Sequence, residues 1–244
     1  MSINSNQTAN QSTRRPTNQP AADLFDEHAL ATALADDAGV ALILIDADLK
    51  LRYANAHAAT CLRERGHDRP NPPIGQPLYD LFPGGVAREY AQTASMACDA
   101  DAPVDLVGMI KGVWRRLTFR PVMFEGQRCI LISSPPPSQF HATAPSRLTR
   151  RTTRDELGPL AKLTARELEV LRLVGLGLNT TQSAQRLSRS VKTIDGHLLS
   201  IRNKIGQLTR TELAALAIES GLTRVDDDEI KRIARQARAA EPLA

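Results

Sequence analysis

Four helix-start signatures lie between Thr164 and Glu212, and they leave that part of the chain little freedom to be anything but short packed helices. Thr164 with Glu167, Asn179 with Gln182 and Thr209 with Glu212 have the spacing at which two side chains satisfy each other's orphan backbone amides. Ser188 and Ser190 are both candidate caps for a helix lying between the last two of these pairs. Behind the first cap, Leu168, Leu171 and Val174 recur at helical spacing, with Val170 and Leu173 widening the stripe. Gly175 and Gly177 end that helix, because glycine tolerates the left-handed turn at a C-terminus. Ala184 and Leu187 follow the second cap. In the third helix Ile194, Leu198, Ile201 and Ile205 repeat at i, i+4, i+7 and i+11, one stripe for burial. The fourth helix runs to about Glu219.

A short helix joined tightly to a longer one fits a helix-turn-helix, whose second helix can enter the major groove of duplex DNA. Charge points the same way. Residues 162–210 carry nine Lys and Arg against three Asp and Glu, whereas residues 1–138 carry thirteen against fifteen. The positive excess therefore sits where phosphate attraction would need it.

Three groups of residues extend the argument to a family. They are Leu163-Thr164-x-Arg166-Glu167-x-Glu169-Val170-Leu171, then Gly177, Ala184 and Leu187, then Lys192-Thr193-Ile194-x-x-His197-x-x-x-Ile201-x-x-Lys204-Ile205-Gly206. With them residues 160–222 resemble the DNA-binding domain of LuxR-type transcription regulators. The resemblance implies that Ser190–Ile205 is the recognition helix and that the helix starting near Thr211 supplies a dimer contact. It implies DNA-facing roles for Arg189, Ser190, Lys192, Thr193, Asp195, Gly196, His197, Arg202 and Lys204, with Lys192, Thr193, Arg202 and Lys204 directed mostly at phosphates. The implied partners are double-stranded DNA, a second copy of the chain, and RNA polymerase.

Three positions depart from the family pattern. Asp195 stands where many relatives carry a basic or polar residue; a carboxylate there accepts from a cytosine amino group or repels a phosphate. Gly196 costs about 1 kcal/mol relative to alanine inside a helix, which close backbone approach to DNA would explain. Ser183 replaces a large aliphatic residue and weakens the packing expected of the second helix. Asp195 and Gly196 also keep a rival reading open, that of a protein-interaction adaptor whose helical domain no longer reads DNA.

Upstream lies a second unit, expected over residues 24–138. A helix over Leu24–Ala38 is followed by strands over Val40–Ile45 and Leu49–Tyr53 around the Asp46-Ala47-Asp48 turn. Helices are expected over Ala54–Arg65 and Gly85–Ala97, and strands over Val104–Ile110, Val113–Arg120 and Arg128–Ser133. Pro121 cannot donate to a ladder, so the middle strand should end or reach a sheet edge there. Lys111-Gly112 and Glu125-Gly126-Gln127 supply the turns. Through Ala41-Leu42-Ile43-Leu44-Ile45-Asp46, Tyr53-Ala54-Asn55 and Gly75-x-x-Leu78-x-Asp80-Leu81-Phe82 this unit resembles a PAS domain. The resemblance implies a five-stranded antiparallel sheet with helices on one face, and a module that senses a small molecule or dimerises. The expected fold is therefore α+β: a PAS-like antiparallel sheet domain, then an all-α four-helix helix-turn-helix domain.

Leu42, Leu44, Leu106, Leu117, Phe119 and Leu131 are candidates for a pocket lining, against the alternative of a filled core. Trp114, Arg115, Arg116 and Arg120 are candidates for a ligand carboxylate or a partner, against solvated strand residues. No cofactor is implied: the helix ending near Ala97 has no histidine, and the cysteine motif of flavin photosensors is missing. His28, His57 and His67 read as surface residues. Cys61 reads as a redox-sensitive thiol or, more commonly, a small buried hydrophobe.

Residues 1–23 are polar and expected to be disordered, with Arg14 and Arg15 open to DNA contact or solvent. Residues 139–158 read as a linker, with Arg147, Arg150, Arg151 and Arg154 open to phosphate contact. Residues 223–244 read as a tail in which Ile230, Ile233, Ala234 and Ala237 allow a short helix against a partner. Cys61, Cys98 and Cys129 show neither a disulfide framework nor a metal spacing, which fits a reducing cytoplasm. The polar N-terminus is no signal peptide, and the apolar run from Gly39 to Ile45 is too short to cross a bilayer. No phosphate-cradling glycine loop, metal-spaced cluster or nucleophile elbow points to an enzyme.

Overall fold

The computed structural model describes residues 27–63, 71–136 and 148–240. The expected tail over residues 1–23, His67, Arg147 and the first part of the expected linker lie outside them. α1 (Glu27–Asp37) leads into β1 (Ala41–Ile45), which returns as β2 (Leu51–Ala54). α2 (Ala56–Arg63), α3 (Leu78–Leu81) and α4 (Gly84–Ala100) precede β3 (Val104–Ile110), β4 (Val113–Phe124) and β5 (Gln127–Ser134). β6 (Leu148–Arg151) completes one sheet, in the order β2-β1-β5-β4-β3-β6.

The turns do what their residues allow. Lys111 and Gly112 (φ 50° and 79°) and Glu125 and Gly126 (φ 49° and 73°) place both central residues at positive φ, the two-residue turn that matches strand twist. Pro121 lies within β4, paired with Ile130 of β5. Pairing with β3 ends at Phe119, so at Pro121 the other side of β4 is an edge, where a missing N–H costs nothing. Asn55 is buried with its amide fully used. Its Nδ2 donates to Asp36 Oδ1 at 2.7 Å and to the Val40 carbonyl at 2.8 Å, and its Oδ1 accepts from the Leu42 and Ala58 amides.

One face of the sheet packs against α4 through Leu106, Leu117, Phe119, Ile130 and Ile132. Tyr90 meets the Phe119 ring edge-on at 5.6 Å and lies 5.0 Å from Phe82. Three of the six candidate pocket residues are on the other face. Leu44 pairs with Leu131, one step out of phase with Ile43 and Ile132; since side chains alternate along a strand, Leu42, Leu44 and Leu131 point away from the helices. Leu106 and Phe119 belong to filled core.

Two further expectations are corrected. The sheet has six strands, because Leu148–Arg151, expected in the linker, pairs in parallel with Val104–Val107 of β3. Beyond it, Glu89 on α4 is buried and accepts from the Thr152 hydroxyl at 2.5 Å and the Thr153 amide at 2.8 Å, while Asp155 accepts from the Met109 amide at 2.8 Å. This segment is anchored rather than loose because its polar groups replace water at the β3 edge.

The C-terminal domain is α5 (Ala165–Gly175), α6 (Thr180–Arg186), α7 (Val191–Ile205) and α8 (Arg210–Glu219), with a fifth helix, α9 (Asp227–Ala240), in the tail where the sequence allows a short one. Ile230, Ile233 and Ala234 of α9 are buried in the domain's own core rather than held out for a partner. Arg172 pins the start of this helix, donating to the Val225 carbonyl at 2.6 Å and to Asp227 at 3.0 Å.

The two domains share a core. Met109 and Trp114, on the sheet face away from α4, pack among Leu157, Leu160, Leu222 and the helices of the C-terminal domain. Trp114 is 2% exposed; its backbone N–H donates to the Ser220 carbonyl at 2.8 Å, and the Arg151 guanidinium lies 4.9 Å above its ring. A Cβ on Gly221, whose φ is +76°, would lie 2.7 Å from the Cβ of Trp114. Asp155, fully buried, pairs with Arg232 at 3.1 Å, and Glu229 bridges Arg232 and Arg151 at 2.6 and 3.2 Å.

Candidate nucleic-acid interface

α6 and α7 are set by their ends. All three capping boxes form, at Thr164, Asn179 and Thr209. Ser190 caps α7 by accepting the Thr193 amide at 3.1 Å, and its hydroxyl meets that of Thr193 at 2.8 Å. Ser188 is not a cap: it takes the left-handed position (φ 50°) that ends α6. There the Ser188 amide bonds the Gln185 carbonyl and the Arg189 amide bonds the Ala184 carbonyl, the paired closure of a tight helix C-terminus. Arg166 then clamps this turn to α5, donating to Glu169 at 2.6 Å and to the Leu187 carbonyl at 2.9 Å.

The buried stripe of α7 is Ile194, Leu198 and Ile201, with Ile205 packed at its end. Turning that stripe inward leaves Lys192, Asp195, Gly196, Leu199 and Asn203 exposed on the other side. Leu199 and Asn203 escaped the sequence reading, although their spacing from Lys192 and Gly196 marks them as neighbours on this face. Beside it, Thr181, Gln185, Arg189, Ser190 and Thr193 line a groove between α6 and the start of α7.

The nine cations of residues 162–210 divide into two groups. Lys162, Arg186, Arg189 and Lys192 are exposed. Arg166 and Arg172 are engaged as described, Arg202 donates to the Leu208 carbonyl at 2.9 Å, Arg210 donates to the Leu178 carbonyl, and Lys204 binds Glu167. Of the nine residues read as DNA-facing, Arg189, Ser190, Lys192, Thr193, Asp195 and Gly196 thus come together on one exposed surface, and His197 is half-buried on its flank. Arg202 and Lys204, expected at phosphates, have internal partners.

Glu167 is the centre of that internal set. Its carboxylate accepts from Lys204 Nζ at 2.7 and 2.8 Å, from the Ser200 hydroxyl at 2.6 Å and from the Thr164 amide at 2.7 Å. Burial pushes the carboxyl up, but the Lys204, Ser200 and Thr164 donors outweigh it and hold its pKa at about 2. One carboxylate thereby caps α5 and fixes its angle to α7. Ser183, the departure in α6, is buried with its hydroxyl unpartnered.

The sheet domain carries a cavity of about 290 Å³, lined by Ile43, Leu62, Phe82, Tyr90, Leu117 and Ile132, with Arg115, Lys111 and Ser134 as its polar members. Of the six pocket candidates only Leu117 lines it. The Ser134 hydroxyl is buried there without a hydrogen-bond partner. Val113 and Arg115 of β4 line the cavity while Trp114, between them, enters the other domain's core. Of the other strand candidates, Arg116 is buried beside Asp105 at 3.7 Å and Arg120 is exposed. Among the described residues no cluster of His, Cys, Asp and Glu could hold a metal, and no helix is long and apolar enough to cross a membrane.

Comparison with known proteins places the helical domain. Residues 161–217 match the family described as bacterial regulatory proteins, luxR family. Transcriptional activator protein ExaE of Pseudomonas putida is 39% identical over 66 residues, 27% of this chain and 31% of that protein. Oxygen regulatory protein NreC of Staphylococcus aureus is 32% identical over 74 residues, 30% of this chain and 34% of that one. The chain thus spans about a third of the length of the curated relatives it matches. Among solved structures, the Vibrio cholerae VqmA dimer without target DNA is similar at a TM-score of 0.38 and 20% identity, over 85% of this chain and 93% of that one. The PAS domain of nitrogen regulation protein NR(II) from Vibrio parahaemolyticus is similar at 0.33 and 15%, over 43% of this chain and 95% of that one. The C-terminal part of the chain, residues 161–217, is a helix-turn-helix domain of the luxR family of bacterial regulatory proteins.

Proposed function

We propose that the chain is a DNA-binding transcription regulator whose N-terminal sheet domain senses a small molecule and passes that state to the helix-turn-helix domain. The observation that carries the reading is the exposed face of α7, with Arg189 and Lys192 at its start beside the groove to α6. These cations and the Ser190 and Thr193 hydroxyls contact phosphates, and the middle of α7 faces base edges. The relatives sharing this domain include one named a transcriptional activator. The protein acts in the cytoplasm by binding rather than by catalysis, as a homodimer on a two-fold site, with RNA polymerase as a further partner.

The cavity supports the sensing half. Its apolar walls, two cations and unpartnered Ser134 hydroxyl suit a small, largely apolar molecule bearing hydrogen-bond acceptors. Coupling follows from strand alternation: a ligand that shifts Val113 and Arg115 shifts Trp114, and Trp114 holds the second domain.

Binding of a random duplex by the full chain across ionic strengths tests the reading. A steep loss of affinity with salt, reduced in Lys192→Ala, together with enrichment of a motif from a random library, is expected. Weak binding without sequence preference would favour the adaptor, which Asp195 on the reading face otherwise recommends.

A further inference from the structure

Gly196 is the sixth residue of α7, and glycine there makes the helix less stable than alanine would. A fold retains such a residue when its backbone is left-handed or when a neighbour fills the space of a side chain. Gly221 meets both conditions, with φ +76° and Trp114 Cβ at 2.7 Å from its added Cβ. Gly196 meets neither: its backbone is helical, and nothing lies within 4 Å of an added Cβ. The chain's own packing therefore gives no reason for it, and the reason must come from something that approaches α7 from outside.

Its surroundings describe what approaches. Gly196 lies on the exposed stripe between Lys192 and Leu199, with Asp195 beside it. Leu199 is 57% exposed although the other leucine and isoleucines of the helix interior, Leu198, Ile194 and Ile201, are buried. The stripe is thus a notch with a carboxylate on one side and an isobutyl group on the other. A phosphate would be repelled by the carboxylate, so this part of the helix suits base edges. In the major groove cytosine presents an amino donor alone, adenine pairs its donor with an acceptor that a carboxylate avoids, and thymine presents a methyl group.

We propose that Gly196 is a specificity-determining gap: it lets the α7 backbone come close to the base edges, so that Asp195 accepts from a cytosine amino group and Leu199 covers a thymine methyl. This rests on the reading of the chain as a DNA-binding regulator.

The test selects bound sequences from a random duplex library with the full-length wild type, Gly196→Ala and Asp195→Asn. Melting temperature and low-salt affinity for an unrelated duplex are measured alongside. Gly196→Ala is expected to raise the Tm by about 3 °C and to leave the unrelated duplex bound as before. It should weaken binding to the wild-type motif by about tenfold or more. Asp195→Asn is expected to lose the preference for cytosine at one position and to keep the rest of the motif. A more stable Gly196→Ala protein that binds the wild-type motif equally well would overturn the gap, and an unchanged motif from Asp195→Asn would overturn its role as reader. A wild type that binds no duplex, or binds without preference, would overturn the regulator reading itself, and this inference with it.

Discussion

Replacing Glu167 with glutamine keeps the shape of the α5 cap and removes the charge that gathers Lys204, Ser200 and the Thr164 amide. A carboxyl held at about 2 instead of 4.5 contributes about 3 kcal/mol to folding at neutral pH. The sign follows from the direction: the folded pKa lies below the unfolded one, so this stability is complete above the ordinary value and is lost as pH falls towards 2. Urea unfolding of the full chain, followed by far-ultraviolet circular dichroism at pH values from neutral to about 3, should show wild type ahead of Glu167→Gln by about 3 kcal/mol at neutrality. The gap should narrow steadily below about pH 5. Other carboxyls titrate in both proteins and cancel in the difference. A gap that stayed constant with pH would mean that Glu167 acts through packing or cap geometry alone, and the electrostatic account of the α5–α7 joint would be wrong.

Lys192→Ala should lower the salt slope of duplex binding by about 0.9, because one phosphate is no longer neutralised. Lys204→Ala should lower the melting temperature and leave that slope unchanged; a reduced slope would show that Lys204 leaves Glu167 for a phosphate. Trp114→Ala should cost about 3–5 kcal/mol of domain packing and split a single calorimetric transition into two, whereas one unaltered transition would show that the shared core does not couple the domains. Burial pushes the Asp155 carboxyl up, against the opposing Met109 amide and Arg232, so folding disfavours its ionised form relative to the unfolded chain. Wild type should lose stability relative to Asp155→Asn as pH rises through the carboxyl's raised value, and a difference that grew in the opposite direction would refute that burial dominates. Ser183→Ala should stabilise the chain by about 1 kcal/mol by removing an unpartnered buried hydroxyl, unless thermal unfolding shows the variant melting lower.

Much of the helical domain was legible in the chain because its signals are local. A capping box needs only two residues three apart, and the three such pairs form; a stripe needs only its period, and Ile194, Leu198 and Ile201 are buried together. The β-turns at Lys111-Gly112 and Glu125-Gly126 were equally readable, since the glycine of each, set between two strand-like runs, accepts the positive φ that the turn requires. What needed the third dimension was phase and partnership. Leu42, Leu44 and Leu131 are as apolar as Leu117, yet one step of register turns them to the other face of the sheet. Thr152 and Asp155 look like linker polarity until the β3 edge and Glu89 meet them.

The sequence by itself determined that residues 160–222 form a capped, basic helix-turn-helix, because hydrogen-bond closure and helical periodicity act between near neighbours. Only the tertiary structure decided which cations remain outside. Arg166, Arg172, Arg202, Lys204 and Arg210 carry the same charge as Arg189 and Lys192, but carbonyls and carboxylates brought from distant turns engage them. It alone also set Trp114 across the domain boundary, because a side chain's destination depends on which sheet face the other domain covers.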